Sequence, residues 1–419
     1  MHESRGERTF VLCRSDRCYA IGRDGAGPAE LQLTRLERGL IALRGGDCFL
    51  CAVPGGEVSL SASTCSTWEL FLASESWCGA GAGDSDWRKD ARFDVKSVKS
   101  YLIHPSIRAA SKVDAKARKV LIYGYTKWSH GRVYYDVARR LHERGYVVDI
   151  LDWQVGHWDY FEKLVSSYDF VMTALDGVRP LVEEYRLPFE KIIAISHSEF
   201  DIRMLVEAMG MEAFERFASY GVVGEFLYCA SLTRGVKREP VIAQIGVDYD
   251  EFYSEPSERL EAVGYGSSIA VETFGVEWKR GNLAEAAAKR ANLPFKVAGW
   301  TGEQTSFHDM PDFYRSVDAV LVSSLTESGP LPAIEAAAAG RLVIGAPVGH
   351  IPRKAYEGGA ILAPIEQEKF VAFCAETLSY YRDRPGEYVK KCLDIRESAQ
   401  NFDWRYCIDG WIDLIEAAA

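Results

Sequence analysis

The chain has 419 residues, 47% of them hydrophobic, with a formal net charge of −11 and a sequence pI near 5.4. That length exceeds one ordinary domain and the apolar fraction can fill several cores, so the sequence predicts a folded globular protein of two or three domains. The acidic balance argues against a nucleic-acid backbone as the main partner, and no apolar run of about 18 residues marks a transmembrane segment.

The opening MHESRGERTF shows no basic stretch followed by an apolar one, so the reading is cytoplasmic, with reduced thiols. Six of the ten cysteines fall early: Cys13, Cys18, Cys48, Cys51, Cys65 and Cys78. Cys48 and Cys51 form a CxxC, but DCFLCAV reads as a strand, on which residues three apart point to opposite faces. They are read as core thiols; a zinc site, the other reading, lacks a second CxxC or an HxxxH to complete four ligands.

FVLCRSDRCYAI (10–21) and LIALRGGDCFLC (40–51) share one order: apolar strand, polar turn, Cys-aromatic strand. GPAELQL (27–33) and STWELFL (66–72) follow the two copies and also match. This repeated hairpin unit predicts a small all-β domain over 1–114. It resembles a fascin-like β-trefoil repeat, with ARFDVKSVKSYLI as a third copy and GAGAGDSD (79–86) as an interrupting loop.

From Lys119 the pattern changes. KVLIYGY reads as a buried strand, GRVYYDVARRLHERG as an amphipathic helix and YVVDILDW as a second strand, together a βαβ unit. YDFVMTAL, EKIIAISHSEFD, SIAVETF, NLAEAAAKRANL, FKVAGW, VDAVLVSS, LPAIEAAAAG and RLVIGAP continue the alternation. The predicted fold class is therefore α/β, two doubly wound Rossmann-like domains over 115–248 and 249–398. AQIGVDYDEFYSEPSERLEAVG is the expected hinge, and 399–419 a C-terminal helix with the option of crossing back.

TESGPLPAIEAAAAG (326–340) lies at the carboxyl end of a predicted strand, where open parallel sheets bind ligands. Gly329 lets a ligand approach the backbone, and Pro330 and Pro332 suit the first turn of a helix whose N–H groups attract anions. Glu327 in the loop and Glu335 in the helix are each able to accept two hydrogen bonds from a vicinal diol. A solvated Glu327 and a helix-stabilising Glu335 are the structural alternative.

The stretch ESGPLPAIEAAAAGRLVIGAPVGHI closely resembles the E-x7-E signature of retaining family 4 glycosyltransferases of GT-B fold. IGVDYDEF resembles that family's hinge motif, MPDFYRSVDAVLVSS the segment before the two acids, and HGRVYYDVARRLHERGYVVDIL its first βαβ unit. The resemblance spans roughly 118–400 and implies a hexosyltransferase that takes a nucleotide-diphosphate sugar, UDP- or GDP-linked, without a metal ion or other cofactor. It implies that Glu327 binds the sugar hydroxyls, Glu335 the ribose diol, and the backbone at Ser328, Gly329 and Leu331 the sugar and phosphates. His197 matches a histidine near the transferred sugar, or else is a satisfied structural histidine. Gly131 and Arg132, expected to begin the first helix, would border the diphosphate. EWKRGNLAEAAAKR resembles the family's K-G element, making Lys279 and Arg280 the diphosphate clamps or, alternatively, a solvated pair. The family's preceding G-R is absent: AVGYGSS offers Gly264 and Tyr265.

The leading reading is transfer of a hexose to a carbohydrate, glycoconjugate or other hydroxyl acceptor, with no nucleic-acid partner. The alternatives are a non-catalytic carbohydrate-binding scaffold with a degenerate transferase body, or a glycosyltransferase acting on modified DNA bases. The first domain is expected to bind acceptor or position the catalytic body, or to serve packing or oligomerisation. Trp128, Trp153 and Trp158 are acceptor-stacking candidates, or packing residues.

Overall fold

The computed structural model describes residues 10–14, 17–21, 32–35, 40–52, 58–66, 69–72, 90–93, 118–125, 128–153, 165, 168–269, 278–300, 303–305, 307, 309–351 and 359–418. By contact the chain divides into two compact units, 1–172 and 173–419.

In the first unit, β1 (Phe10–Arg14) and β2 (Arg17–Ile21) form an antiparallel hairpin with Cys13 opposite Cys18. β3 (Gln32–Arg35), β4 (Leu40–Gly45), β5 (Cys48–Ala52) and β6 (Val58–Ala62) form an antiparallel sheet, with β7 (Leu70–Leu72) also pairing β4. Both expected hairpins are thus antiparallel pairs, and Cys48 and Cys51 lie on a strand. Buried Phe49 meets buried Phe93 edge-on at 5.2 Å, which ties a residue of the expected third copy to this sheet. Residues 79–86, the rest of that third copy, Cys78 and Trp158 lie outside the described residues, as does the side chain of Trp128.

β8 (Lys119–Gly124) leads into α1 (Trp128–Glu143) and β9 (Val147–Asp152), which pairs parallel to β8. The helix buries Val133, Tyr134, Val137, Ala138 and Leu141, one stripe at helical spacing. Gly124 permits this packing, because a Cβ there would stand 2.5 Å from the Tyr134 ring. The helix begins at Trp128 rather than at Gly131, so Gly131 and Arg132 sit inside it, both buried. Arg132 Nε donates to Asp136 Oδ2 at 2.7 Å one turn on, a pair almost wholly enclosed. Trp153, half-buried, stands edge-on to Tyr123 at 6.1 Å.

The chain continues through β10 (Phe170–Ala174), α2 (Leu175–Glu183), β11 (Ile192–Ser196), α3 (Glu199–Met209), β12 (Ser219–Val222), α4 (Glu225–Thr233) and β13 (Val241–Ile242). The first large sheet has the order β13-β12-β11-β10-β8-β9. A second comprises β14 (Val263–Ser268), β15 (Phe295–Trp300), β16 (Glu303–Gln304), β17 (Ala319–Val322), β18 (Leu342–Gly345) and β19 (Ile361–Leu362). Its order is β16-β15-β14-β17-β18-β19, parallel except for β16. These are the two doubly wound α/β sheets that the sequence predicts. The strand expected at SIAVETF differs: β14 ends at Ser268, and 270–274 lie outside the described residues.

Around the second sheet run α5 (Gly281–Arg290), α6 (Met310–Arg315), α7 (Leu331–Ala338), α8 (Gln367–Arg382) and α9 (Pro385–Ala399), followed by α10 (Trp404–Glu416). The alanines of α7 have a plain cause. The helix lies between β17, β18 and α9, and Ala333, Ile334, Glu335, Ala336, Ala337 and Ala338 are all buried, so it is packed on every face and alanine suits most of its positions. Gly340 ends it at φ +69, where a Cβ would also stand 2.9 Å from the Ser254 carbonyl oxygen.

The expected hinge is tied at two places. Val247 N–H donates to the Phe402 carbonyl at 2.8 Å and the Val247 carbonyl accepts from Trp404 N–H at 3.1 Å, while Arg341 holds Ser254 Oγ at 2.5 Å and the Glu255 carbonyl at 2.7 Å. Beyond it α10 packs on β12 and β13 of the first large sheet: Ser219 Oγ donates to the Leu414 carbonyl at 2.7 Å and Trp411 Nε1 to the Gln244 carbonyl at 3.0 Å. Trp404, Trp411, Leu414 and Ile415 are fully enclosed, each contributing about 1.5–3 kcal/mol of burial. Gly410 makes that approach possible, since a Cβ would lie 2.3 Å from the Ile242 carbonyl oxygen. Gly410→Ala is therefore expected to destabilise the fold by about 1–3 kcal/mol, read as a lower thermal midpoint; an unchanged midpoint would show that α10 docks otherwise.

Candidate functional site

β14 is the first strand of its sheet in chain order, with β15 laid on one side and β17 on the other. The strand order therefore reverses between β14 and β17, and ligands of open α/β sheets bind at the carboxyl ends of such strands. The segments that follow these two strands meet there. Leu325 N–H donates to the Trp278 carbonyl at 2.8 Å, and Ser323 Oγ reaches the carbonyls of Lys279 and Arg280, both at 2.9 Å. Tyr265 on β14 adds a bond from its hydroxyl to the Lys279 carbonyl at 2.8 Å, and burial pushes that phenol above its ordinary pKa.

Arg280 completes the join. It takes a left-handed conformation, φ 50, that turns its buried guanidinium back into the sheet. Nε donates to the Ser323 carbonyl at 2.6 Å, Nη1 to that of Ile365 at 2.7 Å and Nη2 to that of Ser324 at 3.3 Å. This arginine is a main-chain fastener rather than a cation held open to a ligand. Lys279 points the other way, toward the loop after β17, and its ammonium pairs with Glu327 Oε1, both side chains partly exposed. Ser324 Oγ donates to the same carboxylate oxygen at 2.8 Å.

Pro330 precedes α7 and Pro332 sits in its first turn. The amide groups of a first helical turn point out along the axis, so Ser328, Gly329 and Leu331 lie where the loop offers main-chain donors and the positive end of the helix. Gly329 is hemmed in: a Cβ would lie 3.3 Å from Ile245 Cδ1 and 3.5 Å from His350 Nδ1. Gly349, at φ +54, brings its own loop against this one, since a Cβ there would be 2.8 Å from Pro330 Cδ and 3.0 Å from the Ser328 carbonyl oxygen. From the first large sheet, Gly224 follows β12 with its Cβ position 3.7 Å from that same Ser328 oxygen.

Glu335 is 5% exposed, and Tyr314 of α6 donates its hydroxyl to Oε2 at 2.9 Å. Burial, and then the neighbouring Glu335 charge, hold the Tyr314 phenol well above its ordinary pKa, so it remains a proton donor at any physiological pH. His197 lies at the carboxyl end of β11, half-buried, with its backbone N–H donating to Asp201 Oδ2 at 3.2 Å. Ser198 caps α3 by accepting from Asp201 N–H, and burial raises the Asp201 carboxyl above its usual range while bonds from Ser198 and from backbone N–H groups oppose that rise.

Glu327, Ser328, Gly329, Leu331, Glu335, Lys279 and Arg280 thus share one place. His197 belongs to the other sheet, while Gly131 and Arg132 lie in the first unit inside α1. Sequence reading missed Ser323, Ser324, Tyr314 and His350, and named Tyr265 only as what stands where the G-R element would be. The serines stand in VDAVLVSS at the strand's end, where a hydroxyl pair before an acid is a usable signal; Tyr314 and His350 owe their places to long-range packing and had none.

Residues 273–380 match the family described as "Glycosyl transferases group 1". A stretch of 112 residues is 32% identical to D-inositol 3-phosphate glycosyltransferase of Saccharomonospora viridis, covering 26% of this chain and 25% of that relative. Among solved structures, sucrose-phosphate synthase of Thermosynechococcus elongatus superposes with a TM-score of 0.54 at 15% identity, over 71% of this chain and 98% of that one. HepE of Anabaena in complex with UDP-glucose gives 0.53 at 14% identity, over 71% and 99%. The catalytic domain of starch synthase IV from Arabidopsis thaliana, bound to ADP and acarbose, gives 0.55 at 11% identity, over 72% and 100%.

The fold is GT-B. Within this GT-B fold, the matched segment contains Lys279, Arg280, Glu327, Ser328, Gly329, Leu331 and Glu335, whereas His197, Gly131 and Arg132 fall outside it.

Proposed function

We propose that this protein is a retaining glycosyltransferase of family 4 that moves a hexose from a nucleotide-diphosphate sugar to a hydroxyl group of a carbohydrate or glycoconjugate. The observation that carries the reading is the Lys279–Glu327 pair at the strand-order reversal, with Glu335 one helix turn into α7, all inside the segment that matches group 1 glycosyltransferases. Cleavage of the glycosidic bond leaves negative charge on the nucleoside diphosphate while the sugar becomes oxocarbenium-like. Lys279 would exchange Glu327 for the diphosphate, with the first turn of α7 adding amide donors, so no metal ion is required of the reading. Glu327, released, would accept from sugar hydroxyls, and Glu335 from the ribose diol; His197 would stand near the transferred sugar. Arg280 would hold Lys279 in position without touching donor. UDP or GDP is the expected nucleotide, and the HepE and starch synthase structures, solved with UDP-glucose and with ADP, are consistent with a nucleotide seat of this kind.

Residues 1–114 would then be a β-trefoil-like module that binds acceptor or positions the catalytic body, and the protein would act in the cytoplasm. The test of the reaction is direct. Incubation with UDP- and GDP-linked hexoses is expected to release nucleotide, and proton NMR of the product to show the donor's anomeric configuration; an inverted product would overturn retention.

One observation favours a second reading, a carbohydrate-binding scaffold. The position of the missing G-R arginine is held by Gly264 and Tyr265, and Tyr265 is buried on the Lys279 carbonyl rather than cationic. Nucleotide release at the rate of a blank reaction would favour it.

A further inference from the structure

The turn that carries His197 holds more hydrogen bonds than a helix start requires. Ser198 caps α3 by accepting from the Asp201 N–H at 3.1 Å, a bond that any residue other than proline at position 201 would supply through its backbone. The Asp201 carboxylate does something else. Oδ1 receives the Ser198 hydroxyl at 2.5 Å, and Oδ2 reaches back past the cap to the His197 N–H at 3.2 Å. Ser196 Oγ closes the turn from the strand side, donating to the Ser198 carbonyl at 2.9 Å. Burial raises the Asp201 carboxyl above its ordinary range. Asp176, in the first turn of α2, lies close enough that its own carboxyl is pushed up to about 6, by burial first and then by the Asp201 charge. Keeping a carboxylate in such surroundings costs stability that a cap alone would not require.

The turn also has a definite place. β11 and β12 are parallel neighbours with Ser196 in register with Val222, and the Val223 N–H donates to the Ser196 carbonyl at 3.2 Å. The next residue, Gly224, has its Cβ position 3.7 Å from the Ser328 carbonyl oxygen in the loop before α7. His197 therefore leaves its strand about 5 Å, one strand spacing, from the chain that meets this loop.

We propose that Asp201 is a positioning residue for His197: its carboxylate fixes the main chain at 197 and 198, and through it the approach of the imidazole to the transferred sugar. The inference rests on the proposed reaction, in which His197 stands near that sugar. Asp201 itself touches no substrate. Its effect is through geometry, where a misplacement of about 1 Å can cost about 100-fold in rate.

A double-mutant cycle separates positioning from plain helix capping, with nucleotide release from UDP- and GDP-linked hexoses as the readout. Asp201→Ala is expected to lower turnover roughly 10- to 100-fold while the donor KM moves by less than about threefold. Asp201→Asn, whose amide oxygen can still accept from the His197 N–H, should recover a large part of that loss. His197→Ala should cost at least as much as Asp201→Ala. The variant carrying both changes should stay within about twofold of His197→Ala alone, because an absent imidazole leaves nothing to position. Nucleotide affinity, measured on the same samples, should be unchanged throughout, which also shows that the variants are folded. Losses that multiply in the double variant, or a parallel loss of nucleotide affinity in Asp201→Ala and Asp201→Asn, would make Asp201 a structural cap and overturn the inference. Undiminished turnover in Asp201→Ala or in His197→Ala would overturn it as well. Nucleotide release by the unmodified protein at the blank rate would be seen first and would overturn the proposed reaction, and this inference with it.

Discussion

Glu327→Gln should lower donor turnover at saturating substrate by about 100-fold or more while leaving nucleotide affinity unchanged or slightly raised. The two halves of this result have one cause. A carboxylate accepts from two hydroxyls with full charge, and this interaction strengthens as the sugar becomes cationic; the amide offers one weaker acceptor. The same carboxylate also pairs with the Lys279 ammonium, so on the proposed reading a nucleoside diphosphate would compete with Glu327 for that cation. Removing the charge removes the competitor. Both side chains are partly exposed, so the fold should tolerate the change. Rates of nucleotide release with titrations on the same samples check the prediction, and turnover close to that of the unmodified protein would remove Glu327 from the chemistry.

Glu335→Ala is expected to act in the opposite sense, on binding before turnover. Charge-assisted hydrogen bonds to a diol are worth about 1.5–3 kcal/mol, so nucleotide affinity should fall roughly 10- to 100-fold. The variant should also lose stability, by about 1–3 kcal/mol, because the wholly buried Tyr314 hydroxyl would then point at no acceptor. Glu335→Gln separates the two effects. Its amide oxygen can still receive the Tyr314 proton, so its thermal midpoint should lie near that of the unmodified protein while affinity still drops. Equal affinities in all three proteins would mean that Glu335 is a structural acid only.

Much of this was legible in the sequence because it is local. KVLIYG, IIAIS, AVLV and LVIG are short apolar runs bounded by polar turns, and each is a strand of a buried parallel sheet. The alanine run after two prolines is a helix enclosed on every side, and the spacing of Glu327 and Glu335 across its start put both acids at one strand end. β14 was harder. VGYGSS has little strand propensity; its glycines are there because a Cβ on Gly264 would stand 2.8 Å from Val317 and one on Gly266 2.6 Å from the Tyr314 hydroxyl.

The different surroundings of the two basic residues were not legible. Lys279 and Arg280 are equal as letters, yet the left-handed turn at Arg280 sends its guanidinium to carbonyls 43, 44 and 85 residues away and leaves the ammonium facing Glu327. Likewise Arg132 reads as a helix-start cation, and only the earlier start at Trp128 puts it in the closed pair with Asp136. A charge belongs to a site only when the backbone conformation beside it aims it there, and a left-handed non-glycine residue has no signature in composition or period.

If the loop after β17 and the Lys279 segment form a working nucleotide seat, calorimetric titration of the full chain with UDP, GDP, ADP and dTDP, without added metal, should show saturable binding of one nucleotide, markedly weakened in Glu335→Ala. Silence across all four would contradict it and leave a GT-B body that holds the acids of a transferase without using them.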